Sequence, residues 1–300
     1  MENQQTPVIG QVLNERNQAH DTRKKTIIEL EKEIGRPVVS LFTSFRFPVV
    51  LGDDDADMLE AVLQTIDLSK GLVLLLSSPG GSGLAAERII TICRRYSGTG
   101  DYWVIIPGKA KSAATMVSFG ASKLIMGPAS ELGPIDPQYT IIEDGRSKRF
   151  SLYNIVQSYK DLFERATKEK GNLQPYLQQL ARYDAREIKE FEDAISLSSD
   201  IAIRALKTGM MPSLTEDEIK KKIKMFLTPE ETKAHGRLID RDRAEACNLN
   251  VEKIKITSRV WTPAYELYVR LNNFVSNQVA KCIESREHSF VANIERSAQV

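Results

Sequence analysis

The segment Gly71–Leu76 is an unbroken apolar run that stops at Ser77-Ser78-Pro79-Gly80-Gly81-Ser82-Gly83. A strand with one face in water alternates apolar and polar residues, so a run with no polar member suits a strand covered on both faces. Such a strand demands helices above and below it. The flanking segments supply them. Asp54–Ile66 places Met58, Ala61, Val62 and Ile66 on one helical face, with Asp53 and Asp54 available to cap it. Gly83–Tyr96 reads as the helix after the run, Tyr102–Pro107 as a strand, Ser112–Ala121 as a helix and Lys123–Met126 as a further strand. With Val38–Phe42 as the first strand, repeated strand–helix–strand units of this length predict a mainly parallel α/β sheet with right-handed crossovers.

Past Ser151 the pattern changes. Leu152–Lys170 and Leu173–Thr208 are long, charged and periodic and read as helices, and Thr215 with Glu218 has the spacing of a capping box before another. Residues 229–251 read as helix, short strand (Arg237–Ile239) and helix, followed by a C-terminal helix from about Pro263. The expected division is an N-terminal helical arm over 1–35, an α/β domain over 36–255 and a helical extension over 256–300. The amphipathic stretch Ala264–Ile283, with Leu267, Leu271, Phe274 and Val275, is expected to meet a second subunit, so a homo-oligomer is predicted.

Composition removes several function classes. Lys+Arg 41 against Asp+Glu 40 leaves a net charge of +1, which argues against nucleic-acid binding through bulk charge. Cys93, Cys247 and Cys282 are odd in number and far apart, and His20, His235 and His288 are scattered. Neither a disulfide framework nor a metal site is expected, nor any cofactor, and a reducing cytoplasm is the natural setting. No apolar run approaches the roughly 18 residues of a membrane helix. The polar start of the chain does not read as a secretory signal.

Two strand-to-helix turns carry the chemistry. Ser78-Pro79-Gly80-Gly81-Ser82-Gly83 lets backbone N–H groups approach a ligand, and the helix that follows favours negative charge there. It lacks the GK[ST] of a phosphate loop and the third glycine of a dinucleotide fingerprint. Lys109-Ala110-Lys111-Ser112-Ala113-Ala114-Thr115 opens the next helix with a serine among small neighbours. A serine there is ordinarily a helix cap. With Ala110, Ala113 and Ala114 around it, Ser112 also has the access that a nucleophile needs. Both turns lie at the carboxyl edge of one sheet, where α/β proteins bind ligands.

These turns, with Ala121-Ser-Lys-Leu-Ile-Met-Gly-Pro, Ser130-Glu-Leu-Gly-Pro-Ile-Asp-Pro-Gln138 and, more weakly, His235-Gly-Arg-Leu-Ile-Asp, resemble the Clp/crotonase superfamily. Within it the chain is most similar to the serine dehydrogenase proteinases, relatives of signal peptide peptidase A. The resemblance implies a serine peptidase that cleaves polypeptide through an acyl-enzyme. Ser112 would be its nucleophile, and Gly80, Gly81 and Ala113 would donate to the oxyanion. Clp-type enzymes carry a histidine in a pattern like Ile-His-Gln-Pro, where this chain has Ile135-Asp136-Pro137-Gln138. The base is therefore sought elsewhere. His235 is one candidate, since an imidazole titrates near neutral pH. Lys148 or Lys160 is another, in the region where the lysine-dependent relatives place theirs, and would need desolvation. Lys111 points about 100° away from its neighbour on a helix and is a poor partner. Asp136 either orients the base or merely shapes a rigid turn. The alternatives are a catalytically silent scaffold or interaction subunit, with a partner protein, and acyl-CoA chemistry; no dinucleotide or pyridoxal motif supports a dehydrogenase.

Overall fold

A computed structural model describes residues 20–46, 49–143, 146–275 and 279–293. A seven-stranded sheet holds them together, in the order β10-β5-β3-β2-β1-β11-β12. Its strands are β1 (Val38–Thr43), β2 (Leu72–Ser77), β3 (Tyr102–Ile106), β5 (Lys123–Met126), β10 (Val251–Lys253), β11 (Val279–Glu284) and β12 (Ser289–Asn293). Pairing is parallel from β10 to β1 and antiparallel for β11 and β12.

The apolar run forms β2 at the centre and is buried along its whole length. Successive side chains point to opposite faces. Leu72, Leu74 and Leu76 join Val39 and Leu41 in one core, and Val73 and Leu75 join Val38 and Phe42 in another. Over the first face lie α2 (Asp53–Leu63), α3 (Gly83–Tyr96) and α4 (Ala113–Phe119). They are joined there by residues of α7 (Ala185–Thr208). On the second face lie α1 (Asp21–Ile34) and α12 (Trp261–Phe274), through Ile27, Leu30, Ala264, Leu267 and Leu271. Two apolar layers explain the unbroken apolar run Leu72–Leu76 within β2.

The helical half consists of α5 (Leu152–Lys168), α6 (Gln174–Leu180), α7, α8 (Glu216–Lys222), α9 (Lys224–Leu227), α10 (Pro229–Thr232) and α11 (Arg241–Ala246). The Thr215–Glu218 capping box is present. Before it stands a hairpin absent from the sequence reading, β7 (Gln138–Glu143) with β8 (Arg146–Ser151). The last small unit is a three-stranded sheet of β4 (Lys109–Ala110), β6 (Glu131–Leu132) and β9 (Ile239–Asp240), in that order.

The described parts of both ends of the expected division join the core. The part of the N-terminal arm within the described residues is α1, and it packs into the core rather than standing apart; residues 1–19 lie outside those described. Arg23 grips the buried Glu284 of β11 with Nη2 at 2.7 Å and Nε at 2.9 Å. The segment 256–300 is helical only to Phe274, after which β11 and β12 extend the sheet beside β1. Leu267, Leu271 and Val275, expected at a subunit contact, face their own sheet. A periodic apolar stripe marks a face that must be covered, and here the same chain covers it.

Candidate active site

The small sheet is what brings distant residues together. β4 runs parallel to β6, with Ala110 beside Leu132. β9 runs antiparallel, with Ile239 beside Leu132. Moving forward from Ala110 to Ser112, forward from Leu132 to Asp136 and backward from Ile239 to His235 is therefore movement in one direction. Three segments leave one end of the sheet, and each carries a candidate residue. A bridge between Ser78 and Ala110, and another between Leu51 and Gly81, tie the glycine turn to the same structure.

Ser112 stands at the N-cap of α4, yet its side chain makes no capping bond. Its backbone is at φ 51° and ψ −120°, a region L-residues rarely occupy. Its hydroxyl has no hydrogen-bond partner among the described residues. Gly80, at φ 96°, is what permits the close approach behind it: a Cβ there would sit 2.6 Å from Ser112 Cβ and 2.9 Å from Ala113 N. The Gly80 N–H, expected to donate to the oxyanion, donates here to the buried Ser78 hydroxyl at 3.1 Å. Its positive φ turns that N–H into the turn. Gly81 is different. Its bridge with Leu51 uses Leu51 N to Gly80 O at 2.8 Å and Ser82 N to Leu51 O at 2.9 Å, leaving Gly81 N–H without a partner among the described residues. Ala113 N–H is likewise without one, at the start of its helix.

His235 Nδ1 lies 2.8 Å from Asp136 Oδ1. Asp136 is buried, and its other oxygen accepts from Gln138 Nε2 at 2.8 Å. A carboxylate oxygen offers only lone pairs, so the shared proton belongs on Nδ1 and Nε2 is left as the basic nitrogen. The loop that carries Asp136 is held from several sides. Ile135 N–H donates to Phe226 O at 2.8 Å, Ser198 hydroxyl donates to Ile135 O at 2.8 Å, and Gly133 N–H donates to Thr115 Oγ1 at 3.2 Å. Thr115 is one turn along from Ser112, so this last bond ties the two segments directly.

The lysines are placed otherwise. Lys148 is exposed on β8 opposite Ile141. Lys160, on α5, pairs with Glu192 at 2.7 Å. Lys111 turns from Ser112 to Leu132 O at 2.9 Å and Glu131 at 3.2 Å; desolvation lowers its pKa while Glu131 opposes that shift. Sequence reasoning did not find Gln138, Ser78 or Thr115. Gln138 stood in the quoted Asp-Pro-Gln motif, where a proline between the two residues fixes the turn that lets the amide reach back. Among the described residues no cluster of His, Cys, Asp or Glu could hold a metal ion.

Residues 4–145 match the family model of the ClpP-like SDH-type serine proteinases. Ser112, the two glycines, Ala113 and Asp136 fall within the match, and His235 lies beyond it. The chain is 28% identical over 127 residues to the uncharacterized protein MJ0137 of Methanocaldococcus jannaschii, covering 42% of each. It is 27% identical over 125 residues to the uncharacterized protein MJ1495 of the same organism, covering 39% of this chain and 42% of that one. The matches thus span less than half the length of these relatives. Among solved structures, it is similar to a membrane-bound stomatin-specific protease mutant in complex with a substrate peptide, at 14% identity and a TM-score of 0.32, over 69% of this chain and 87% of that one. No helix among the described residues is long and apolar enough to cross a membrane.

Proposed function

We propose that the chain is a serine peptidase that cleaves polypeptide through an acyl-enzyme on Ser112. The observation that carries this is the serine itself. It has a strained backbone, its hydroxyl caps no helix, and two N–H groups without a partner among the described residues, those of Gly81 and Ala113, stand in the turns beside it. Strain of this kind costs about 1–3 kcal/mol and persists where the surroundings impose it, often at catalytic sites.

In this reading the Ser112 oxygen attacks the peptide carbonyl and His235 Nε2 takes its proton. Asp136 accepts from Nδ1–H, fixing the tautomer and stabilising the imidazolium. The carbonyl oxygen becomes an oxyanion between the Gly81 and Ala113 N–H groups. As the C–N bond breaks, His235 returns the proton to the leaving amine. Water then attacks the acyl-enzyme, giving up its proton to His235, and the Ser112 hydroxyl is restored as the acid product leaves. Gly80 acts through its missing side chain. Self-association, a partner protein and a cytoplasmic setting complete the proposal.

The test is covalent labelling. A fluorophosphonate is expected to label Ser112, and Ser112→Ala to lose label and peptide hydrolysis together. His235→Ala should abolish labelling at unchanged fold, and Lys148→Ala should leave it intact. A second reading, a silent scaffold, is favoured by one observation, the absence of a partner for the Ser112 hydroxyl among the described residues. Catalytic hydrogen bonds that tighten only on substrate binding account for the same fact. Correctly folded protein that takes no label would decide for the scaffold.

A further inference from the structure

The Gly81 N–H takes its place from Leu51. A Cβ on Gly81 would sit 2.1 Å from Leu51 O and 2.5 Å from Leu51 N, so the two backbones lie in direct contact. Leu51 N donates to Gly80 O and Ser82 N donates to Leu51 O, one bond on either side of Gly81. Whatever fixes Leu51 therefore also fixes the direction of that N–H.

The next residue, Gly52, is the N-cap of α2 and brings no side chain to hold the turn. Its N–H donates instead to Asp55 Oδ2 at 2.6 Å, and Asp55 N–H donates back to Gly52 O at 3.2 Å. A first-turn carboxylate can do this from the surface. Asp55 does it from the interior. It is 1% exposed, and the same oxygen accepts from Lys281 Nζ of β11 at 2.8 Å. Lys281 also reaches both oxygens of Asp54 at 3.1 Å. Desolvation raises the pKa of Asp55, and the hydrogen bonds from Lys281 and Gly52 oppose that shift. A buried ion pair adds little stability over apolar side chains of similar size, because desolvation offsets the attraction. What it supplies is directional geometry at the atoms it holds. Here those atoms include Gly52 N, one residue along from Leu51.

We propose that Asp55 and Lys281 are positioning residues for the oxyanion site, their ion pair fixing Gly52 and Leu51 so that the Gly81 N–H is aimed at the reacting oxygen. The inference rests on the peptidase reading for the reaction it serves. Both side chains act through the backbone of Leu51. By this route β11 contributes to a site whose other members all lie between Leu51 and His235.

The test is the rate at which a fluorophosphonate labels Ser112 in the full chain, measured over a range of probe concentrations. Labelling forms the Ser112 O–P bond, expels fluoride and passes the serine proton to the base. Charge gathers on the phosphoryl oxygen as it does on an oxyanion, so the same donors serve it. Lys281→Met alone would strand a buried carboxylate and can unfold the protein for that reason. Asp55→Asn with Lys281→Met removes both charges and is the deciding variant. Its maximal labelling rate is expected to fall by about 10- to 100-fold, less than the loss of a donor outright. The half-saturating probe concentration should stay unchanged, since the donor acts on charge that develops only in the transition state. The final labelled fraction counts folded molecules and should also be unchanged. Arg88→Met serves as control, because Arg88 pairs with Asp53 and Asp57 on the outer side of the same helix. It should label at the unsubstituted rate. An unaltered rate in the double variant would overturn the proposal, as would an equal loss in Arg88→Met or a loss matched by a smaller labelled fraction. Any of these leaves the peptidase in place. An unsubstituted protein that takes no label removes the peptidase reading, and this inference with it.

Discussion

Gly81 shows how little room the proposed oxyanion site allows. A Cβ built on it would collide with the backbone oxygen and nitrogen of Leu51. Neither can move as a flexible side-chain end would, so an added methyl must rotate the turn and carry the Gly81 N–H with it. Gly81→Ala is expected to lower the rate of peptide cleavage by about 10²–10³-fold, the effect of losing one oxyanion donor. Steady-state kinetics beside far-UV circular dichroism would check that the fold is retained. Gly80 differs in kind. At φ 96° and against Ser112, it would make an alanine strain the backbone and press on the nucleophile as well.

At the scale of elements, the loop that carries Asp136 depends on α9. Phe226 packs edge-on against Phe119 of α4, with ring centroids 5.1 Å apart at 83°, while its carbonyl takes the Ile135 N–H. Phe226→Ala is expected to destabilise the protein by about 3–5 kcal/mol, read as a fall in urea midpoint. Activity should fall at temperatures where the protein is still folded, because the anchor of the Asp136 loop loosens. The four strands of the large sheet between Val38 and Met126 were legible, since continuous apolar runs and strand-to-helix turns carry a strong local signal, whereas β4 was read as part of a turn. The hairpin of β7 and β8 was not, because Gln138–Glu143 and Arg146–Ser151 mix polar and apolar residues without a clean period. β11 was taken into the preceding helix because its apolar residues continue the helical stripe, and only pairing with β1 decides otherwise. Ser112 and the glycines were readable from their turns. The closeness of His235 and Asp136 was not, since 99 residues separate them and β4, β6 and β9 are each two residues long.

For the whole molecule, the surface beyond Gln138 still carries exposed apolar side chains. Ile142 of β7 is 77% exposed, Phe163 of α5 54% and Leu177 of α6 48%. Apolar residues left in water on neighbouring elements suit a contact between copies. The expected outcome is a mass above 33.7 kDa by light scattering across a range of concentrations. Ile142→Lys with Phe163→Asp should shift it toward the monomer. A monomer mass at every concentration would remove the proposal of self-association.

The pairing of β1 with β11 has a consequence for biosynthesis. Ser40 meets Glu284, so one edge of β1 waits while 244 residues are translated. Every segment that carries Ser112, Asp136 or His235 leaves the ribosome before that edge can be covered. An open apolar strand is an invitation to pair with another chain. A nascent chain of this protein therefore passes through a stage in which the residues proposed to be catalytic are all present but its sheet is unfinished. A ribosome stalled after His235 and before Val279 would release a fragment prone to aggregate, with a chaperone the natural cover for that edge.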